Sequence, residues 1–250
     1  MIKFIDFNVK EPYRDGSRTD LTWETFQQYR DEVKISKSFN DYLKNKSVVI
    51  VGPSPYLLGK KRGKLIDSFD VVIRMNKGWK PSLDKIEDYG SKTTIRYHCM
   101  MEHPNNGGDF AIDDMLDYGV EWLVSQFPRN LDYFHHDNLN FEEKNQGKIK
   151  FHCCADLIYF LNIHRSLETR PNLAPSAIFE LINYDIKNLH LMGCTFLKDG
   201  WLKGYKEDKE YDLKRAEEGH AQAPQIHLTK LILENEPKFT MDQEIKNIIY

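Results

Sequence analysis

The stretch Val48–Asn76, VVIVGPSPYLLGKKRGKLIDSFDVVIRMN, limits the fold more than any other part of the chain. Val48-Val49-Ile50-Val51 is apolar and β-branched at every position, and it stops at Gly52-Pro53-Ser54-Pro55. A strand without polar alternation is buried on both faces, the pattern of a parallel sheet. Asp70-Val71-Val72-Ile73-Arg74 is a second such run, and a short helix ending at Ile66–Asp67 lies between the two. Parallel strands joined this way bring their C-terminal ends, Gly52–Ser54 and Asn76, side by side. An open α/β sheet holds its ligand at that edge.

A glycine turn after a strand offers backbone N–H groups to a phosphate or sugar. The turn is neither G-x-G-x-x-G nor G-x-x-x-x-G-K-[ST], and Lys60 and Lys61 lie too far along to serve as a P-loop lysine. On its own it fits a strand–turn–helix without a ligand equally well. Composition narrows the field. A chain of 250 residues suits one α/β domain. A net charge of -3 argues against nucleic acid as partner. No apolar run approaches the ~20 residues of a membrane span, and Met1-Ile2-Lys3-Phe4 is too short for a signal peptide. Cys99, Cys153, Cys154 and Cys194 form no C-x-x-C or His/Cys cluster, so no metal is expected; Cys153-Cys154 reads as core packing. Unpaired buried cysteines fit a reducing compartment, giving an expectation of a cytoplasmic protein, at most peripheral to a membrane.

Along the chain, residues 1–46 read as an N-terminal arm followed by one helix over Leu21–Lys46, with Trp23, Phe26, Tyr29, Val33 and Ile35 near the helical period. Residues 47–250 form the main domain. Further strands are expected at Thr93–Met100, Glu121–Ser125, Ile149–Cys153 and Leu189–Gly193, and helices at Asp113–Tyr118 and Ala155–His164. Residues 127–148, with Tyr133, Phe134, His135 and His136, read as a long polar and aromatic connection. A helix carrying Ala177, Ile178, Leu181 and Ile182 follows Arg170-Pro171-Asn172-Leu173-Ala174-Pro175-Ser176. Either Asn172 or Ser176 suits its N-cap. About 197–219 is charged and carries Trp201, Tyr205 and Tyr211, as a lid would. Pro224 marks the first turn of a last helix through Leu228, Leu231 and Ile232. Met241–Tyr250 reads as a tail packed outside.

The longer pattern V-V-x-V-G-x-S-x-x-L…G-x-x-I-D-S-x-D-x-V-x-R-M-N…G-S-K-T-T, from Val48 to Thr94, resembles the large sialylmotif of animal-type sialyltransferases, glycosyltransferase family 29. The G-P-S step also resembles the first turn of bacterial family 42 sialyltransferases. The Pro171–Ser176 turn and Gly219-His220 before a helix are similar to the later shared motifs. The resemblance implies an α/β fold: a single Rossmann-like domain with a mostly parallel central sheet, a GT-A-like sialyltransferase variant, plus a lid. It implies inverting, metal-independent transfer of sialic acid, or a related ulosonic acid such as Kdo, from a CMP-sugar to a glycan or glycolipid hydroxyl. No cofactor beyond that donor is implied.

On the same basis His220 is the candidate general base, since an imidazole titrating near neutral pH suits removal of the acceptor's proton. The donor side falls to Gly52, Pro53, Ser54, Asn76, Asn172, Ser176, Gly193, Thr195 and Tyr205, with Lys203 and Tyr211 as weaker lid candidates. Glu102 and His103, in the loop after the third strand, are acceptor candidates; a solvated loop is the alternative. The departures are specific. Val48 stands where the family carries a disulfide cysteine, so that bridge is expected to be absent. Pro53 replaces an asparagine, Gln225 replaces a glutamate, and Asn172-Leu173-Ala174 replaces Ser-Thr-Gly if Pro171 is the motif proline; if it is Pro175, only Ser176 survives and the helix is shortened. These leave a second reading open: a degenerate relative that binds nucleotide without transfer. A dinucleotide oxidoreductase is weaker still, for want of the glycine fingerprint.

Overall fold

A computed structural model of the chain describes residues 21–129, 132–154, 156–205 and 219–250. The expected arm over 1–20 and most of the lid, including Tyr211, lie outside these residues, as do the side chains of Tyr133, Phe134 and His135.

Among the described residues seven strands form one sheet: β1 (Ser47–Val51), β2 (Val71–Met75), β3 (Ile95–His98), β4 (Trp122–Ser125), β5 (Lys150–Cys153), β6 (Asn188–Met192) and β7 (Phe239–Met241). Their order is β5-β4-β3-β2-β1-β6-β7, and each neighbouring pair is parallel. Every residue of β1 and β2 is buried except Ser47, which is half-buried. Successive side chains go to opposite faces. Val48 and Ile50 pack with Val71, Ile73 and Leu189 on one face, while Val49 and Val51 pack with Val72, Leu57, Ile66 and Met192 on the other. The apolar run is therefore a central strand covered on both sides.

The helices are α1 (Trp23–Asp31), α2 (Lys37–Leu43), α3 (Gly63–Asp67), α4 (Ile86–Tyr89), α5 (Ile112–Tyr118), α6 (Asp132–Asn145), α7 (Leu157–Leu167), α8 (Leu173–Leu181), α9 (Gln222–Asn235) and α10 (Gln243–Ile249). Three expectations need correction. The single helix over Leu21–Lys46 is two, because Thr22 caps α1, Ser36 caps α2, and the chain leaves the helix between them. The connection over 127–148 contains α6, anchored by the buried Phe141 and closed by Asn145, whose amide bonds both N–H and C=O of Ile149. The tail supplies the edge strand β7 and α10, with Ile245 and Ile249 buried.

The strands are laid down in order from β1 to β5 in one direction. After α7 and α8 the chain returns to place β6 on the other side of β1. The order therefore reverses between β1 and β6, and such a switch point opens a crevice at the strand C-termini. Glu180 fastens α8 to the sheet below that crevice. Its carboxylate accepts from Tyr97 of β3 at 3.1 Å and meets His152 of β5 at 2.7 Å.

At the reversal Gly52 and Gly193 lie back to back. A Cβ on Gly52 would sit 2.3 Å from the Gly193 carbonyl oxygen, and one on Gly193 would sit 2.3 Å from that of Gly52. Gly193 also has φ +67°, a region that costs other residues energy. Gly193→Ala is expected to lose roughly 3 kcal/mol or more of stability, from clash and strain together. Gly59→Ala has φ +75° but open space around it, and should lose only about 1 kcal/mol. Urea unfolding of both variants measures the contrast; equal losses would show that the glycine contact is not a packing constraint.

Candidate active site

Two turns meet at the switch point. Gly52 N–H donates to Met192 O and Ser54 N–H to Gly193 O, so the turn after β1 continues the ladder to β6. Ser54, 2% exposed, shares a hydroxyl–hydroxyl bond of 3.2 Å with Thr195. Its carbonyl accepts from Tyr89. Gly193 N–H donates to the hydroxyl of Tyr56, which in turn donates to Asp242. These bonds use the turns' own polar groups to hold the crevice open.

Asn76 follows β2 directly, with φ +48°. Its Oδ1 accepts from the Cys99 N–H at 3.0 Å and its carbonyl from Arg96 Nε at 2.9 Å. The side-chain amide is thereby turned so that Nδ2 is left as its donor. Arg96 is wholly buried and gathers the carbonyls of Gly107, Asp109 and Phe110 as well. One guanidinium thus fixes both Asn76 and the loop after β3. Glu102 belongs to that scaffold. Its carboxylate accepts from the Phe110 N–H and from Asn140, and pairs with Lys144. His103 is exposed, with Nδ1 accepting from Asn105 N–H. Neither residue lines the cavity; Met101 and Asn106 of this loop do.

The third wall is a zipper between residues 169–172 and 220–225. His220 Nδ1 donates to Arg170 O at 2.5 Å, and Ala221 N–H to Thr169 Oγ1 at 2.8 Å. Asn172 N–H donates to Gln225 Oε1 at 2.8 Å, and Asn172 Nδ2 to Gln222 Oε1 at 3.1 Å. Gln225, fully buried, also donates through Nε2 to Ala221 O at 2.7 Å. The position read as a lost glutamate is therefore filled by an amide that uses both its ends. Because Nδ1 of His220 donates to a carbonyl, Nε2 is assigned the lone pair. The Arg170 guanidinium lies 3.3 Å from that nitrogen. Beneath them, burial first and the nearby Arg170 and His220 second push His164 down to about 3, so it stays neutral.

α8 begins at Leu173 with Asn172 in the N-cap position, and Asn172 through Pro175 line the cavity. The Pro171 reading of the turn is the one the helix follows. Ser176 lies inside the first turn instead, bonded to Gln126 at 3.3 Å, and lines a separate small hollow. Over the top, Leu202 N–H donates to Pro53 O, and Tyr205 lies against Gly78 with its hydroxyl 3.4 Å from Met75 O. Phe196 and Leu197 hold positive φ in the same approach. Such strain gathers where surrounding structure imposes it.

The result is a cavity of about 170 Å³ lined by Gly52, Pro53, Ser54, Asn76, Asn172, Gly193, Thr195, Tyr205 and His220. Arg170, which sequence reasoning passed over, joins them. Its signal was a cation directly before the Pro-Asn turn that opens a helix. Lys203 lines the neighbouring cavity instead. Burial holds the Cys99 thiol up, and that of Cys194 at about 11, so both remain neutral thiols at the rim. All four cysteines are free, and Val48 sits inside β1. Among the described residues no three His, Cys, Asp or Glu side chains gather as metal ligands, and no helix is long and apolar enough to cross a membrane.

The profile of glycosyltransferase family 29 (sialyltransferase) matches residues 5–133. Type 2 lactosamine alpha-2,3-sialyltransferases of Homo sapiens and Pongo abelii are 45% identical over 87 residues, 34% of this chain and 24% of those enzymes. The aligned part is thus about a quarter of the length of these curated relatives. A mammalian sialyltransferase solved with Gal-beta-1-3GalNAc-ortho-nitrophenol superposes with TM-score 0.53 at 16% identity, covering 87% of this chain and 78% of that one. The sialyltransferase CstII from Campylobacter jejuni, solved with cytidine-5'-monophosphate, gives TM-score 0.54 at 14% identity, covering 79% and 80%. These structural likenesses carry the fold. With a family profile spanning just over half its length, the chain belongs to glycosyltransferase family 29, the sialyltransferases.

Proposed function

We propose that the protein transfers sialic acid, or a related ulosonic acid, from a CMP-sugar to a glycan hydroxyl, with inversion, without a metal, and with His220 as general base. The observation that carries this reading is the convergence of three separated stretches, at Gly52, Asn76 and His220, on one cavity at the switch point. Asn76 Nδ2 and the backbone at the start of α8 would hold the nucleotide, and the lid base with Tyr205 would cover its phosphate.

The chemistry then divides simply. The acceptor oxygen attacks the anomeric carbon while the bond from that carbon to the phosphate oxygen breaks, and CMP departs with the electron pair. The acceptor's proton passes to Nε2 of His220. The imidazolium formed keeps its Nδ1–H bond to Arg170 O, which stabilises the added charge. The Arg170 guanidinium opposes it while it faces Nε2. A donor carboxylate or phosphate draws that guanidinium away and so bares the base.

The same contact favours the second reading. A guanidinium facing Nε2 suits a nucleotide-binding relative that never takes up the proton. His220→Ala separates the two. Under the transferase reading, CMP affinity by calorimetry stays within about twofold while transfer, or donor hydrolysis, falls by ~10²–10⁴-fold. A variant that turns over like the wild type would make His220 structural.

Gln225→Glu tests the zipper. A carboxylate can still accept from Asn172 N–H, but it cannot donate to Ala221 O. The expected outcome is a stability loss of about 1–3 kcal/mol, read by urea unfolding, together with weaker CMP binding. An unchanged midpoint and affinity would show that the amide's second bond is idle.

A further inference from the structure

A second cavity, of about 310 Å³, adjoins the first over the ends of β1 and β2, on the side of Val51 and Arg74. The two share Gly52, Pro53, Met75 and Tyr205 as a common wall. Its rim carries Lys77, Lys80, Lys85 and Lys203, and among the described residues no aspartate or glutamate lines it. None of these four lysines has an ion pair among the described residues. In a chain with net charge -3 this is a local inversion of sign.

The floor adds to it. Arg74 is 2% exposed. All its hydrogen bonds go to neutral oxygens: the carbonyls of Tyr89, Gly90 and Lys92 and the hydroxyl of Thr93. Its charge is thus shared with no bonded carboxylate, and solvent screens it little. A cavity of this size accommodates a sugar. Its one-sided charge would stabilise a sugar bearing an anion and give a neutral sugar nothing comparable.

We propose that this cavity is the acceptor subsite and that it selects an anionic acceptor, a glycan carrying a phosphate or carboxylate, which reaches the base past Tyr205. The proposal rests on the transferase reading above. It adds a substrate class that the donor cavity alone does not imply.

Binding tests it without turnover. Galactose 1-phosphate, galacturonic acid and galactose are titrated calorimetrically into the CMP-saturated protein, so that the donor's phosphate position is filled. At low salt at least one anionic sugar is expected to bind about tenfold or more tightly than galactose, equivalent to about 1.4 kcal/mol. The preference should shrink at high salt and largely vanish in the Lys80→Gln/Lys85→Gln variant, with CMP affinity unchanged. Preference for galactose 1-phosphate alone identifies a phosphate-bearing acceptor, and preference for galacturonic acid alone a carboxylate-bearing one. Equal binding of all three sugars, no measurable binding of either anion, or a preference that survives the double substitution overturns the proposal. Failure of CMP itself to bind would remove the transferase reading. The anionic sugars titrated without nucleotide, against wild type and variant, would still decide the character of the cavity.

Discussion

The close approach of Gly52 to Gly193 governs the rest of the site. Strand order reverses between β1 and β6, so the turns leaving these two neighbours diverge to opposite faces of the sheet. They can diverge from a common point only if the two backbones touch, and neither position has room for a Cβ. Every other wall is referred to this contact. Ser54 and Thr195 bond across it, Tyr56 secures Gly193 from the side, and Pro53 offers its carbonyl to the lid base. A side chain at either glycine would push these apart together.

Charge is arranged around the crevice in an unusual way. Arg74 and Arg96 are buried and bond mainly to carbonyls, and burial lowers each to about 10. Both stay charged at neutral pH. A buried cation without a hydrogen-bonded carboxylate is costly to keep, and here it also serves as a brace. Arg96 collects four carbonyls from Asn76 and the loop after β3, and Arg74 ties β2 to the segment 89–93. With Arg170 beside His220, the crevice lies among three guanidiniums whose field favours anions. A nucleotide monophosphate joined to a carboxylated sugar is such a ligand, so the scaffold's own braces contribute to the electrostatics a donor would meet.

How much of this was legible beforehand depended on how each element is held. β1 and β2 could be read because burial on both faces leaves no polar residue in the run. Their turns could be read because Gly52-Pro53-Ser54-Pro55 ends the first apolar run and Arg74-Met75-Asn76 falls within the stretch that resembles the sialylmotif. α6 could not, because its residues are mostly polar and it is held by Phe141 and the Asn145 clamp, neither of which makes a periodic stripe. β7 is three residues long and exists only because β6 presents an edge. Glu102 looked like a site residue by its place after β3. Only the positions of Lys144 and Phe110 reveal that its carboxylate is already spent. Arg170 was overlooked for the opposite reason: a cation before a Pro-Asn turn is a weak local signal, and its significance comes from His220, fifty residues on.

Gln225 shows why substituted motif positions need the structure before they are counted as losses. A glutamate and a glutamine can both accept from Asn172 N–H, and sequence comparison sees only that the charge is gone. In this chain the amide's other end donates to Ala221 O, closing the first turn of α9 onto the residue next to His220. Gln225 is therefore uncharged where it stands and keeps the link between the two segments that carry Arg170 and His220. Pro53 follows the same logic. It lacks a side-chain donor, but its carbonyl holds Leu202 and with it the approach to Tyr205. In both places the residue present makes contacts within the wall, Gln225 to Asn172 and Ala221 and Pro53 to Leu202.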